Sequence, residues 1–293
     1  MILVAGSTGL LGNEICQQLR QQNLPVRAFV RSTSDAAKVA HLQSRGCEIA
    51  ICDLKDPASL EEACRSVKAV ISTASSTFSR QEGDSIQTVD NDGQLNLVAA
   101  AENAGVQQFI LISFPDIVAY PNPLNDAKRA VERRLRESGM NYISLQANYF
   151  MEVWLSPALG FDVANRSVQV FGDGDKASNL VSYVDVAKMA VACLDHPTAR
   201  NRVMPIGGLE SLTQWVVVRL FEKLAGADFT VAQVPQAALE QQRAGAGNPM
   251  EASFASLMLA LAQGLPMDMG ETARELNVSL TIMEDYARKS LGM

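Results

Sequence analysis

The sequence predicts an α/β protein: a doubly wound parallel sheet with helices on both faces, and a smaller α/β lobe built from the C-terminal half. Three observations point there. Short apolar runs alternate with amphipathic stretches over residues 1–148, the rhythm of βαβ units. The runs are continuous rather than alternating in polarity, as strands are when helices cover both faces of a sheet. A glycine-rich turn joins the first run directly to the first amphipathic stretch.

In order, strands are expected at Met1–Ala5, Pro25–Val30, Glu48–Cys52, Ala69–Ser72, Phe109–Ser113 and Tyr142–Gln146. Helices are expected between them at Leu10–Gln22, Ser34–Ser44, Ser59–Val67, Ser85–Ala104 and Asn125–Ser138. Beyond Gln146 the rhythm loosens. A helix over Tyr183–Leu194 ends at Asp195-His196-Pro197, because a proline disfavours helical geometry in the residue before it. Another, Thr213–Ala225, is closed by Gly226 in a C-cap position, and a break over Ala244–Pro249 precedes a helix at Met250–Gln263. We expect residues 1–148 to form the main domain and residues 149–293 mainly the C-terminal lobe, with segments returning to the main domain.

The turn reads Gly6-Ser7-Thr8-Gly9-Leu10-Leu11-Gly12, a GxxGxxG spacing. Glycines alone are weak evidence, but their place between a strand and a helix at the head of a βαβ unit is the context of a dinucleotide-binding Rossmann fold. There they allow a tight turn, close approach of backbone to a pyrophosphate and close helix packing, while the helix N-terminus supplies N–H donors. The second strand ends in Val30-Arg31-Ser32-Thr33, with no carboxylate to bond a ribose diol. Arg31 can fork onto a 2′-phosphate and Ser32 can donate to it, so NADP(H) is expected in preference to NAD(H). Asp53, with Leu54, ends the third strand, where it either accepts from an adenine amino group or caps the next helix. Ser72, Thr73 and Ala74 end the fourth strand and are expected along the pyrophosphate and ribose.

Composition removes other classes. A formal charge of −7 and a pI near 5.0 offer no basic stripe for nucleic acid. The five cysteines, Cys16, Cys47, Cys52, Cys64 and Cys193, lack a CxxC pair and read as buried apolar residues of a reducing compartment. His41 and His196 have no ligand partners at metal spacing, so no metal site is expected. No run approaches the roughly 18 apolar residues of a membrane span. The first strand has no charged leader, so a cytoplasmic protein is expected.

The ordered set of motifs resembles the NmrA-like branch of the atypical short-chain dehydrogenase/reductases. It comprises the glycine turn, Val26–Arg31, Gly46 with Asp53-Leu54, Ala104-Gly105-Val106, Ala127-Lys128 with Glu132, Ser138-Gly139, Asn148–Glu152, Val184–Ala187 and Thr281–Tyr286. The resemblance implies that Lys128 stands beside the nicotinamide, orienting its ribose or acting as a general acid, and that Ser113 hydrogen-bonds a substrate carbonyl. It also exposes two departures: Leu124 stands where a Tyr-x-x-x-Lys pair would have its tyrosine, and Asp90 where related dehydrogenases carry asparagine. Tyr120, in a proline-flanked loop, either swings toward the site or is simply exposed; Asp185 reads as part of a helix start. Tyr149, Phe150, Met151 and Trp154 either line a site for a flat apolar substrate or pack a core. The function implied is an NADPH-dependent oxidoreductase acting on a quinone, carbonyl or conjugated acceptor. The alternative is a non-catalytic NADP-binding sensor, regulator or assembly factor whose partner is another protein.

Overall fold

The computed structural model describes residues 1–78, 81–267 and 269–293. The chain divides into two compact units, each discontinuous in sequence. The first comprises residues 1–114, 124–146 and 186–204; the second comprises 115–123, 147–185 and 205–293.

The first unit is built on β1 (Ile2–Ala5), β2 (Val26–Val30), β3 (Glu48–Ile51), β4 (Ala69–Ser72), β5 (Gln108–Ser113) and β6 (Asn141–Ala147). These pair in parallel, and the order β3-β2-β1-β4-β5-β6 reverses direction at β1. In such a sheet ligands bind beyond the carboxyl ends of the strands at the point of reversal. The intervening helices are α1 (Leu10–Gln21), α2 (Ala36–Ser44), α3 (Pro57–Cys64), α4 (Asp92–Asn103) and α5 (Pro123–Glu137). Leu3, Val70, Phe109 and Leu111 of the strands pack with Leu60, Leu97, Val131 and Leu135 of the helices in one core. The central strands β1, β4 and β5 are buried along their whole length, whereas the edge strand β3 leaves Ile51 exposed.

Further on come α6 (Met151–Trp154), β7 (Phe161–Asp162), β8 (Ser167–Phe171), β9 (Ala177–Ser178) and α7 (Tyr183–Ala192). They are followed by β10 (Arg202–Ile206), β11 (Leu212–Thr213), α8 (Gln214–Ala225) and β12 (Thr230–Val234). The chain ends with α9 (Gln236–Ala244), α10 (Pro249–Gln263), α11 (Gly270–Glu275) and α12 (Met283–Ser290). β10 returns to the main sheet beside β6 and completes its seven strands. The amide of the buried Gln108 clasps the same returning stretch, donating to the Cys193 carbonyl at 3.0 Å and accepting from Asp195 N at 3.3 Å.

In the second unit β12 pairs in parallel with β8, which pairs antiparallel with β7, and β9 pairs with β11. Phe161 packs edge-on against Phe221 of α8. Asp185, in the first turn of α7, accepts from Thr281 N at 2.6 Å, so its buried carboxylate ties the start of that helix to the approach to α12. All five cysteines are buried, and none is in a disulfide. Among the described residues no helix is long and apolar enough to cross a membrane, and no cluster of side chains could hold a metal ion.

Candidate cofactor and catalytic site

The glycine turn has the steric form a nucleotide phosphate requires. Gly6 has φ +81°, and a Cβ there would meet Thr73 Oγ1 at 2.6 Å and Ala74 N at 2.9 Å. At Gly12 a Cβ would lie 2.2 Å from the Gly6 carbonyl oxygen, so the turn can lie against α1 only without that side chain. Gly9 is the N-cap of α1; it supplies no capping side chain, and the first turn carries no acidic residue. The head of this helix therefore keeps its partial positive charge for an anion. Leu10 and Gly9 face solvent, Thr8 is half-buried and Leu11 is packed inward. Ser7 is fully buried and donates to the Phe29 carbonyl at 2.6 Å, so its side chain fastens the turn to β2 and only its backbone is left to face a ligand. These residues fit a dinucleotide's pyrophosphate.

The strand ends beside the turn are equally specific. Thr73 donates to the Ala5 carbonyl at 3.1 Å, Ser72 is buried and donates to Gln94 Oε1 at 2.8 Å, and Ala74 is half-buried. Asp53 does not cap α3: that role belongs to Asp56, whose carboxylate accepts from Ala58 N at 3.2 Å, while Asp53 Oδ1 accepts from Lys55 N at 2.8 Å. Leu54 is buried. Arg31 does not stand alone as a waiting phosphate ligand would. Its Nη1 lies 2.5 Å from Asp84 Oδ2, and Lys55 Nζ lies 2.5 Å from Asp84 Oδ1. Ser32 is exposed.

Lys128 and Asp90 centre a second group of candidate residues. Lys128, on α5, is 8% exposed, and its Nζ faces Asp90 Oδ1 at 3.6 Å; Asp90 is wholly buried. The other oxygen, Oδ2, accepts from Ser76 N at 3.0 Å and from Ser76 Oγ at 2.5 Å. Oδ1 has no hydrogen bond of its own, so the lysine's ammonium is its electrostatic complement. Asp90 reaches this position from a π-helical turn, Ile86–Asn91, ahead of α4. The wider turn adds a residue relative to α-helical winding, a device concentrated at functional sites. Leu124, at the position of the missing tyrosine, is buried. Ser113, at the end of β5, accepts from Arg129 Nη2 at 2.8 Å. The same guanidinium nitrogen donates to the Phe114 carbonyl at 2.6 Å and pairs with Glu132 Oε1 at 2.9 Å, which also accepts from Ser144 and Gln146. Ser113 thus receives a proton-bearing group from the protein and keeps its own O–H to donate.

Three side chains that contact the candidate site residues escaped the sequence reading. Arg129 looks like a solvated neighbour of Lys128, and Lys55 and Asp84 belong to no motif; the place of Lys55 just beyond the carboxyl end of β3 would have been its signal. The aromatic segment behaves differently from the substrate-lining alternative. Tyr149 is fully buried, its ring edge-on to Trp154 at 4.6 Å and its hydroxyl donating to the Leu257 carbonyl at 2.9 Å, and burial pushes its pKa up. Met151 and Trp154 are also buried, which makes the three of them packing residues of the second unit and leaves Phe150 half-buried. Tyr120 lies beneath the Arg243 guanidinium, 5.9 Å from its carbon, and is held within that same unit. Elsewhere, Cys47 has its pKa lowered to about 7, chiefly by a hydrogen bond from Cys16, with Arg20 and Arg45 adding to the effect; Cys16 is correspondingly raised.

The seven-stranded sheet and the glycine turn at its point of reversal together define a protein of the Rossmann-type, nicotinamide-dinucleotide-binding class. The NmrA-like family model matches residues 1–287, and the chain belongs to that family. It is 28% identical to the photosystem II assembly factor Ycf39 of Synechocystis, over 99% of this chain and 90% of that protein. It is 29% identical to an NAD(P)H azoreductase of Xenophilus azovorans, over 85% and 82% of the two chains. Against an isoflavone reductase homolog of Zea mays the identity is 30%, over 99% and 98%. The NADPH-dependent quinone oxidoreductase of Escherichia coli, solved with NADPH, superposes with a TM-score of 0.77 at 21% identity, covering 99% of this chain and all of that one. Triphenylmethane reductase of Citrobacter, solved with NADP(H), gives 0.79 at 20%, again over 99% and 100%.

Proposed function

We propose that the chain is an NADPH-dependent reductase acting on an apolar quinone, azo, carbonyl or conjugated acceptor. The observation that carries this reading is the buried Lys128–Asp90 pair. A lysine ammonium largely withdrawn from water and facing a wholly buried carboxylate serves no solvation purpose on α5, and a protein that only gripped adenine and phosphates would not need it. An NAD(P)H azoreductase and an isoflavone reductase homolog among its relatives, and an NADPH-dependent quinone oxidoreductase among its structural neighbours, support the same class.

In this reading the turn Gly6–Gly12 and the head of α1 hold the pyrophosphate, Asp53 and Leu54 border the adenine, and Arg31 with Ser32 faces the 2′-phosphate. Ser72, Thr73 and Ala74 line the path between them. A bound NADPH supplies the hydride. Lys128 orients the nicotinamide ribose through Nζ, and the Asp90 carboxylate holds that group in place. Ser113 donates its O–H to the oxygen or nitrogen that gains negative charge during reduction; Arg129 holds the acceptor face of the hydroxyl and so directs the proton outward.

Incubating the protein with NADPH and a panel of quinones and azo dyes, while following the absorbance of the reduced nicotinamide, is expected to show turnover that Lys128→Ala abolishes. A second reading, a cofactor-binding assembly factor without turnover, is favoured by Leu124 in place of tyrosine and by the full-length similarity to Ycf39. Cofactor binding without oxidation by any acceptor, together with NADPH-dependent capture of one protein partner, would establish that reading and remove the first.

A further inference from the structure

We infer that Asp84 is a specificity-determining residue that stands in for the 2′-phosphate between Arg31 and Lys55 and so narrows the preference for NADPH over NADH; this rests on the proposed dinucleotide site. Arg31 follows β2 and Lys55 follows β3, neighbouring strands whose carboxyl ends face the adenosine side of such a cleft. Each cation takes one oxygen of the same carboxylate at 2.5 Å. The cations are about one third exposed, 30% and 32% at their side chains, whereas the Asp84 side chain is 2% exposed. The carboxylate is therefore the enclosed member and the cations are the faces a ligand meets.

This placement is held by more than the ion pairs. Thr33 Oγ1 donates to Gln81 Oε1 at 2.6 Å, Asp84 N donates to the Gln81 carbonyl at 3.2 Å, and Arg31 N donates to Ser34 Oγ at 2.9 Å. The stretch carrying Asp84 is thus fastened to the turn after β2.

A carboxylate gripped by two cations imitates a phosphate monoester, which carries roughly −1.5 to −2 at neutral pH. Asp53 Oδ2 lies a further 3.9 Å from Lys55 Nζ, so the charges of Arg31, Lys55, Asp84 and Asp53 cancel. A 2′-phosphate entering here must share or displace Asp84; a 2′-hydroxyl carries no charge and gains nothing from the two cations. Removing the Asp84 charge while keeping its shape leaves the two cations with Asp53 alone to offset them, a net positive group that includes a guanidinium suited to bidentate phosphate binding.

Calorimetric titration of NADPH and NADH into the full chain tests this, with wild type, Asp84→Asn, Asp84→Ser, and Asp84→Asn combined with Lys55→Ala or Arg31→Ala. Adenosine 2′,5′-bisphosphate against 5′-AMP provides a second measurement of the same discrimination. Both Asp84 variants are expected to raise the ratio of the NADH to the NADPH dissociation constant by at least about tenfold, through tighter NADPH binding. Adding Lys55→Ala or Arg31→Ala should remove that gain. An unchanged or reduced ratio in both Asp84 variants, with both cofactors still bound, overturns the assignment of Asp84 and leaves the dinucleotide site standing. Failure of both cofactors to bind the folded wild type overturns both.

Discussion

At Lys128 the decisive fact is what surrounds the ammonium. The lysine itself is legible from its place after Ala127, but its partner arrives from a π-helical turn 38 positions earlier in the chain, which no local pattern announces. Breaking a buried ion pair by deleting one member leaves a charge stranded, at a cost of about 3–5 kcal/mol. Asp90→Ala is therefore expected to destabilise the protein by that order, with Lys128→Met plus Asp90→Ala recovering part of the loss; urea denaturation of wild type, Asp90→Ala, Lys128→Met and the double variant measures it, and a cost below about 1 kcal/mol would contradict the burial. Arg129 shows the converse. Consecutive helical residues point about 100° apart, so a neighbour says little about a side chain's surroundings, and Arg129 turns inward to Ser113 and Glu132. Tyr149 and Trp154 were equally readable as core or as substrate surface, because an apolar ring satisfies both until its neighbours are known.

Elements whose burial is complete were the easiest to foresee. The strands β1, β4 and β5 fall where the apolar runs lie, since a run closed in on both faces leaves no polar gap to blur its ends. The stretch Ser85–Ala104 was expected as one helix; it is a π-helical turn followed by α4, with the Ser85–Thr88 capping box at its head and Gly93 packed against Leu54 and the Thr88 carbonyl. Neither that close contact nor the wider winding has a sequence period. The short strands β7, β9 and β11 span two residues each, too few to show alternation. The glycine turn makes a sharper claim. Gly12→Ala forces a methyl to within 2.2 Å of the Gly6 carbonyl oxygen, so it should cost about 1–3 kcal/mol and weaken dinucleotide binding. Gly105→Ala, where φ is +72° but no atom lies within 4 Å, should cost only the left-handed strain of roughly 1–2 kcal/mol and leave binding intact. Thermal melts with and without NADPH compare the two; equal losses of binding would show that the turn tolerates a side chain.

On the scale of the whole chain, the return of residues 186–204 to the first unit was foreseen only as unspecified segments, because the sequence places no marker on a strand that joins a sheet after so long an excursion. β10 and the Gln108 clasp make this stretch part of that unit's fold. A fragment ending at residue 148 should therefore lack cooperative unfolding and protected amides in β6, whereas the full chain shows both by hydrogen exchange; a fragment that melts cooperatively at the full chain's temperature would deny the returning stretch its structural weight.

The late arrival of β10 also has a consequence for how the chain is made. Synthesis runs from the N-terminus, so β6 emerges with a bare edge and must wait some sixty residues for its neighbour. An open strand edge invites pairing with other chains. The nascent polypeptide is most vulnerable to aggregation in that interval, and binding of a chaperone there would shield it until the last strand seals the sheet.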